Sequence, residues 1–255
     1  MTTLGTELSD PAAVWVPEAP RRREADARLA SSFWGRFQLA VLVYRGFYAF
    51  GVWLGRIGVS ANALTYASLA FAAGACFAAA AGSFAWSALA VVVGGICDAL
   101  DGVVARSTGT VSRYGALLDS TVDRVTDALP LLGVLLFYAH APTLAVVPGL
   151  ALVGAVVIPY VRARTEALGA SLPGLFMRRP ERLVLLIVCL LLGEVEVAAH
   201  LAAPLLLLGT FVLAVLNTFG GVLVLRAARV ALDASELRAS DLDRAPSSQS
   251  ALRRP

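Results

Sequence analysis

Four aspartates, Asp98, Asp101, Asp119 and Asp123, lie inside two apolar stretches long enough to cross a membrane. An ionised carboxylate in hydrocarbon is costly unless something compensates it. Four within so short a stretch are not a packing accident. Clustered carboxylates are most cheaply compensated by a divalent cation, which prefers oxygen ligands. The sequence therefore predicts a membrane-embedded site for Mg²⁺ or a similar ion.

Composition sets the class. Of the 255 residues 58% are hydrophobic and 15% charged, with a mean hydropathy of +0.75. A soluble domain is nearer about a quarter charged, so a polytopic membrane protein with one membrane domain is expected. The 21 basic residues include no lysine. This excludes Schiff-base and lysine-base chemistry, and a bias toward Ala, Val, Leu and Arg accounts for it. Cys76, Cys97 and Cys189 are scattered through apolar segments, without metal-site spacing or the pattern of a disulfide framework.

The chain divides into a polar arm over 1–31, a membrane domain over 32–230 and a tail over 231–255. Both ends are expected to be disordered. No cleavable signal peptide is read in the arm, which carries Arg21, Arg22 and Arg23. From about Ser32 to Gly58, aromatic residues alternate with Arg36, Arg45 and Arg56, the pattern of an amphipathic helix lying in the interface. Six candidate spans follow, at about 61–82, 84–106, 112–138, 143–164, 182–197 and 201–225. The fold class is thus all-α, six transmembrane helices preceded by an interfacial helix. Arginine is concentrated in the arm, the 107–113 turn, the 162–182 loop and the tail, and is absent from the turns near 83, 140 and 199. The positive-inside rule puts the arginine-bearing segments in the cytoplasm.

Asp98 and Asp101 share one helix face, which Ala105 continues. Asp119 and Asp123 share another, which Asp127 continues. A short polar turn, 107–113, joins the two helices, so they should run antiparallel with the acids near their cytoplasmic ends. Gly102, Ala105 and Gly115 leave the helix surface bare, so a ligand can approach the backbone. Arg106 adds a planar donor suited to phosphate. Carboxylates, bare backbone and arginine together describe a site for a diphosphate nucleotide and its metal.

The full string is D-x2-D-G-x2-A-R-x8-G-x3-D-x3-D, from Asp98 to Asp123, with all eight fixed positions filled. It resembles the motif of the CDP-alcohol phosphatidyltransferase family, and the likeness extends over about residues 33–228. The resemblance implies transfer of a phosphatidyl group from CDP-diacylglycerol to an alcohol, with release of CMP. It implies Asp98, Asp101, Asp119 and Asp123 as ligands of two Mg²⁺ or Mn²⁺ ions, with Asp123 also the general base. It places the cytidine and its phosphates at Gly102, Ala105, Arg106 and Gly115. It also implies a homodimer in the cytoplasmic (inner) membrane, surrounded by membrane lipid, with its active site facing the cytoplasm and no nucleic-acid partner.

A second stretch holds Tyr160-Val-Arg162-Ala-Arg164-Thr-Glu166, then Arg178-Arg179-Pro-Glu181-Arg182. Clustered arginine is a natural receptor for a phosphorylated acceptor, so Arg162, Arg164, Arg179 and Arg182 are candidate binding residues. The alternative is ordinary flanking charge. The stretch is similar to that of bacterial phosphatidylinositol phosphate synthases, with Arg162 where lysine is usual, Thr165 where alanine is, and Arg178 where an acid is common. The acceptor so implied is inositol 1-phosphate, with glycerol 3-phosphate as the alternative. Intramembrane prenyltransferases also use helical aspartates, but carry two acidic motifs far apart. Transporters and channels place their carboxylates near the midplane, at the junction of repeats. Neither pattern is present here.

Overall fold

The structure is a computed structural model that describes residues 38–172 and 178–244. Among these residues it is all-helical. The helices are α1 (Gln38–Arg56), α2 (Ala61–Ala80), α3 (Phe84–Thr108), α4 (Arg113–Phe137), α5 (Pro142–Ala167), α6 (Arg179–Ala198) and α7 (Pro204–Arg244). Four are long and apolar enough to cross a membrane: α2, α3, α5 and the first 32 residues of α7. α4 and α6 are long enough too, but α4 carries Arg113, Asp119, Asp123, Arg124 and Asp127, and α6 carries Arg179, Glu181, Arg182, Glu194 and Glu196.

Several boundaries shift by a few residues from the sequence expectation, and two of them have a clear local cause. α6 begins at Arg179 rather than 182, because Pro180 suits a first helical turn and the Glu181 carboxylate accepts from the Arg178 backbone N–H at 2.9 Å. α7 passes the expected tail boundary at 231 and stays helical to Arg244. Its extension, Ala-Leu-Asp-Ala-Ser-Glu-Leu-Arg-Ala, is rich in strong helix formers, and no Gly or Pro stops it. The expected arm over 1–31 and the end of the tail, 245–255, lie outside the described residues.

The chain forms two compact units. Of the described residues, one holds 38–65 together with Asp98–Asp119, and the other holds Tyr66–Cys97 together with those from Ser120 to Arg244. In the first unit, α1 packs on the C-terminal part of α3 through Gly51 and Gly55. A Cβ on Gly51 would sit 2.6 Å from Val103 Cγ1, and one on Gly55 would sit 2.8 Å from Thr108 Cγ2. This small-xxx-small stripe brings the two backbones together and fixes the stretch of α3 that bears Asp101, Gly102 and Ala105. Leu42, Val43 and Trp53 of α1 stay exposed, as does Ile57 just after it.

The second unit has a core of small residues. Ala75, Ala79, Ala88, Ala151 and Ala155 are buried with Phe84, Leu131, Tyr138, Leu190 and Leu206. Many of its other large apolar side chains point outward: Phe77 is 76% exposed and Trp86 69%. Small inside and greasy outside is the distribution of helices packed within lipid rather than water. The turn between α6 and α7 is pinned from both sides. Tyr138 Oη donates to Ala203 O at 2.6 Å, and the buried Glu196 carboxylate accepts from the Leu205 and Leu206 N–H groups at the start of α7.

Candidate active site

The first unit contains a cavity of about 310 Å³. Its floor is α3 at Asp101, Gly102, Ala105 and Arg106, and its far wall is α4 at Ser112, Gly115 and Asp119. The start of α2 closes it with Asn62 and Thr65. Asp101 is buried, and Thr65 Oγ1 donates to its Oδ2 at 2.7 Å. The Arg106 guanidinium lies along α3 so that a Cβ on Gly102 would stand 3.0 Å from its Nη1. Ser112 Oγ accepts from Gly115 N–H at 2.9 Å and starts α4 at this wall. Carboxylate oxygens of Asp98 and Asp119 lie within 4.8 Å of each other. Like charges that close call for a cation between or beside them.

Asp123 follows Asp119 by one turn on the same face of α4. It belongs to the second unit, where it lines a cavity of about 400 Å³. Five arginines line that cavity, Arg124, Arg162, Arg178, Arg179 and Arg182, against three acids, Asp123, Asp127 and Glu166. Basic charge therefore exceeds acidic charge at its wall. The guanidinium of Arg179 is held by three groups of α4. Its Nη1 reaches Asp123 Oδ1 at 2.8 Å, its Nε reaches Asp127 Oδ1 at 2.9 Å, and its Nη2 donates to Thr126 Oγ1 at 3.1 Å. Arg182 is buried and meets Asp127 Oδ2 at 2.8 Å. Asp127 thus accepts from two arginines one turn apart on α6. Arg162 donates to Leu172 O at 3.3 Å, and Arg124 to the Ser120 hydroxyl at 2.6 Å.

The structure thus places Gly102, Ala105, Arg106 and Gly115 around one cavity with Asp101 and Asp119, and Arg162, Arg179 and Arg182 around the other with Asp123. Arg164 is the exception: it is exposed and lies outside the lining of the arginine cavity. The helix period explains the difference. Pro159, Arg162, Ala163 and Glu166 fall at i, i+3, i+4 and i+7 and share the cavity face of α5, whereas Arg164 is turned well away from Arg162. Sequence reasoning missed Asn62, Thr65, Ser112, Ser120 and Arg124. Neither Asn62 nor Thr65 carries a spacing signal, because each meets the motif only through folding. Arg124 follows Asp123 directly, but lies just past the last position of the motif.

The family model for CDP-alcohol phosphatidyltransferase matches residues 58–219. The chain is 36% identical over 114 residues to an archaetidylinositol phosphate synthase of Pyrococcus horikoshii, covering 44% of this chain and 59% of that protein. It is 36% identical over 137 residues to a phosphatidylinositol phosphate synthase of Mycolicibacterium smegmatis, covering 52% of this chain and 62% of the relative. The chain therefore spans about three fifths of the length of these relatives. Its fold is similar to the phosphatidylinositol phosphate synthase of Mycobacterium tuberculosis crystallised with CDP-DAG, with a TM-score of 0.65 and 28% identity over 72% of this chain and 94% of that one. The same enzyme crystallised with manganese and citrate gives a TM-score of 0.65 and 28% identity over 71% of this chain and 88% of that one.

Proposed function

The chain belongs to the CDP-alcohol phosphatidyltransferase family, and from that premise we propose that it transfers the phosphatidyl group of CDP-diacylglycerol to a hydroxyl of inositol 1-phosphate. The observation that carries this reading is the Asp98–Asp119 pair, within 4.8 Å inside a motif whose every fixed position is filled. The relatives named as phosphatidylinositol phosphate synthases, and the similar structures that hold CDP-DAG or manganese, support the donor, the acceptor and the use of a divalent metal.

The donor set suits such an ion, being hard carboxylate oxygens. Asp98, Asp101, Asp119 and Asp123 would hold two Mg²⁺ or Mn²⁺ ions, which when bound neutralise charge on the phosphoryl oxygens and the departing CMP. The rest falls to the chain's own groups. Gly102, Ala105 and Gly115 admit the cytidine end of the lipid, and Arg106 faces its phosphates. Thr65 holds Asp101 in place through its 2.7 Å hydrogen bond. Arg162, Arg179 and Arg182 supply positive charge for the acceptor's phosphate. Asp123, oriented by Arg179, takes the proton of the attacking hydroxyl. That oxygen bonds to the phosphorus carrying the lipid, the bond from this phosphorus to the CMP oxygen breaks, and CMP leaves.

In this reading α4 and α6 cross the bilayer with the other four, α1 lies in the interface, and a homodimer sits in the cytoplasmic membrane with the site facing the cytoplasm. The charges of α4 and α6 that line the arginine cavity face protein rather than lipid, as intramembrane charge must. The test is CMP release by the purified chain from CDP-diacylglycerol with Mg²⁺. Release that depends on inositol 1-phosphate is expected. Release with glycerol 3-phosphate alone would reassign the acceptor, and no release with any alcohol would end the reading.

A further inference from the structure

A much smaller cavity, of about 10 Å³, shares Asp127 and Arg182 with the arginine cavity. Asn217 of α7 also lines it. This amide is fully buried, and its Nδ2 donates to Ala151 O at 2.9 Å. Its Oδ1 accepts no hydrogen bond from the protein. A buried carbonyl oxygen left so costs more than an ordinary hydrogen bond gains. The rest of the lining is apolar, including Leu131, Leu186 and Leu213, so packing alone would favour leucine at 217. Gly154 lets α5 and α7 approach closely at this point: a Cβ there would stand 2.5 Å from Asn217 Cβ.

The volume matches about one water, which needs roughly 10–15 Å³ and two or more polar partners. Asn217, Asp127 and Arg182 are such partners. We propose that one internal water bridges Asn217 Oδ1 to the Asp127–Arg182 pair, which makes Asn217 a positioning residue for Arg182. The water donates to Asn217 and accepts from the guanidinium. It thereby fixes the guanidinium plane from inside the helix bundle, while the arginine also serves the larger cavity. The functional half of this proposal rests on Arg182 binding the acceptor's phosphate.

Two measurements test it. A structure at a resolution that shows solvent should contain density within hydrogen-bonding distance of Asn217 Oδ1, and a dry cavity overturns the proposal. In kinetics, Asn217→Leu should raise the acceptor KM about fivefold, the loss of one modest hydrogen bond, with kcat and the CDP-lipid KM unchanged. Asn217→Ser, which keeps an acceptor for the water, should recover most of the loss. Leu213→Phe, which fills the cavity while keeping the amide, should reproduce the acceptor-only defect. An unchanged acceptor KM, or equal changes for both substrates, overturns the positioning role. If the chain proves inactive with inositol 1-phosphate, the proposed function fails. The solvent density then still decides whether the bridge exists.

Discussion

The two large cavities are built by opposite means. The one in the first unit is made by leaving side chains out: Gly102, Ala105 and Gly115 expose backbone, and Arg106 is its one basic side chain. The one in the second unit is made by filling its wall with charge and then tying the charges down. Arg179 is held by Asp123, Asp127 and Thr126, and Arg182 is held by Asp127. A bare surface recognises shape and tolerates little added volume. A cross-linked arginine wall recognises a dianion and tolerates little loss of charge. Each should fail in its own way under mutation, which gives the comparison its tests.

The largest effects belong to the acids, which in the proposed function serve both substrates. Asp119→Asn removes half of the Asp98–Asp119 pair and should lower the CMP-release rate about a thousandfold or more. Asp123→Asn should do the same while the protein still folds and elutes normally from a sizing column. Full activity in that variant would remove Asp123 from the role of base. EDTA should abolish activity in the wild type, and Mg²⁺ or Mn²⁺ should restore it. CMP formation that persists in EDTA would refute the metal site.

Next come the arginines. Arg182→Gln should raise the acceptor KM by roughly one to two orders of magnitude, as expected for a lost charge-assisted contact. The CDP-lipid KM should hold. This variant also strips a partner from the buried Asp127, so its thermal midpoint should fall, in line with the ~3 kcal/mol typical of breaking a buried pair. Equal effects on both substrates would reduce Arg182 to a structural brace. A smaller and mirror-image effect is expected at Gly102. An alanine there pushes on the Arg106 guanidinium, whose Nη1 would be 3.0 Å away. That end is flexible and can shift, so the CDP-lipid KM should rise only about tenfold, and the acceptor KM should not move.

These two regions were unequally legible in the sequence. The bare cavity is written in a contiguous string with fixed spacing, because its residues come from the adjoining ends of two consecutive helices. Helix period alone puts Asp98, Asp101 and Ala105 on one face and Asp119 and Asp123 on another. What that string could not show is the partner brought from outside it, Thr65, whose hydroxyl meets Asp101 across 36 positions of chain. The arginine cavity draws on α4, α5, α6 and, through Val224, α7, and the Arg179–Asp127 contact spans 52 positions. The sequence showed an arginine-rich stretch near the right place but not which arginines turn inward. Helical continuity past 231 was equally hidden, because a charged, apolar-poor segment reads as a tail unless its run of alanine, leucine and glutamate is weighed as helix propensity.

The smallest predicted effect is the sharpest check on that last distinction. Arg162 and Arg164 are two residues apart on α5, equal in charge and both near the helix end, so net charge and long-range attraction change identically when either is lost. Only the face differs: Arg162 lines the cavity and donates to Leu172 O, whereas Arg164 is exposed outside it. Arg162→Gln should therefore raise the acceptor KM about tenfold. Arg164→Gln should change it by no more than about twofold, the scale of a screened surface charge. Measured at two ionic strengths, the Arg162 defect should persist at high salt and any Arg164 defect should vanish. Equal defects that both fade with salt would mean that the cavity attracts its anion through diffuse positive charge, and that the cross-linked wall contributes no more than its net sign.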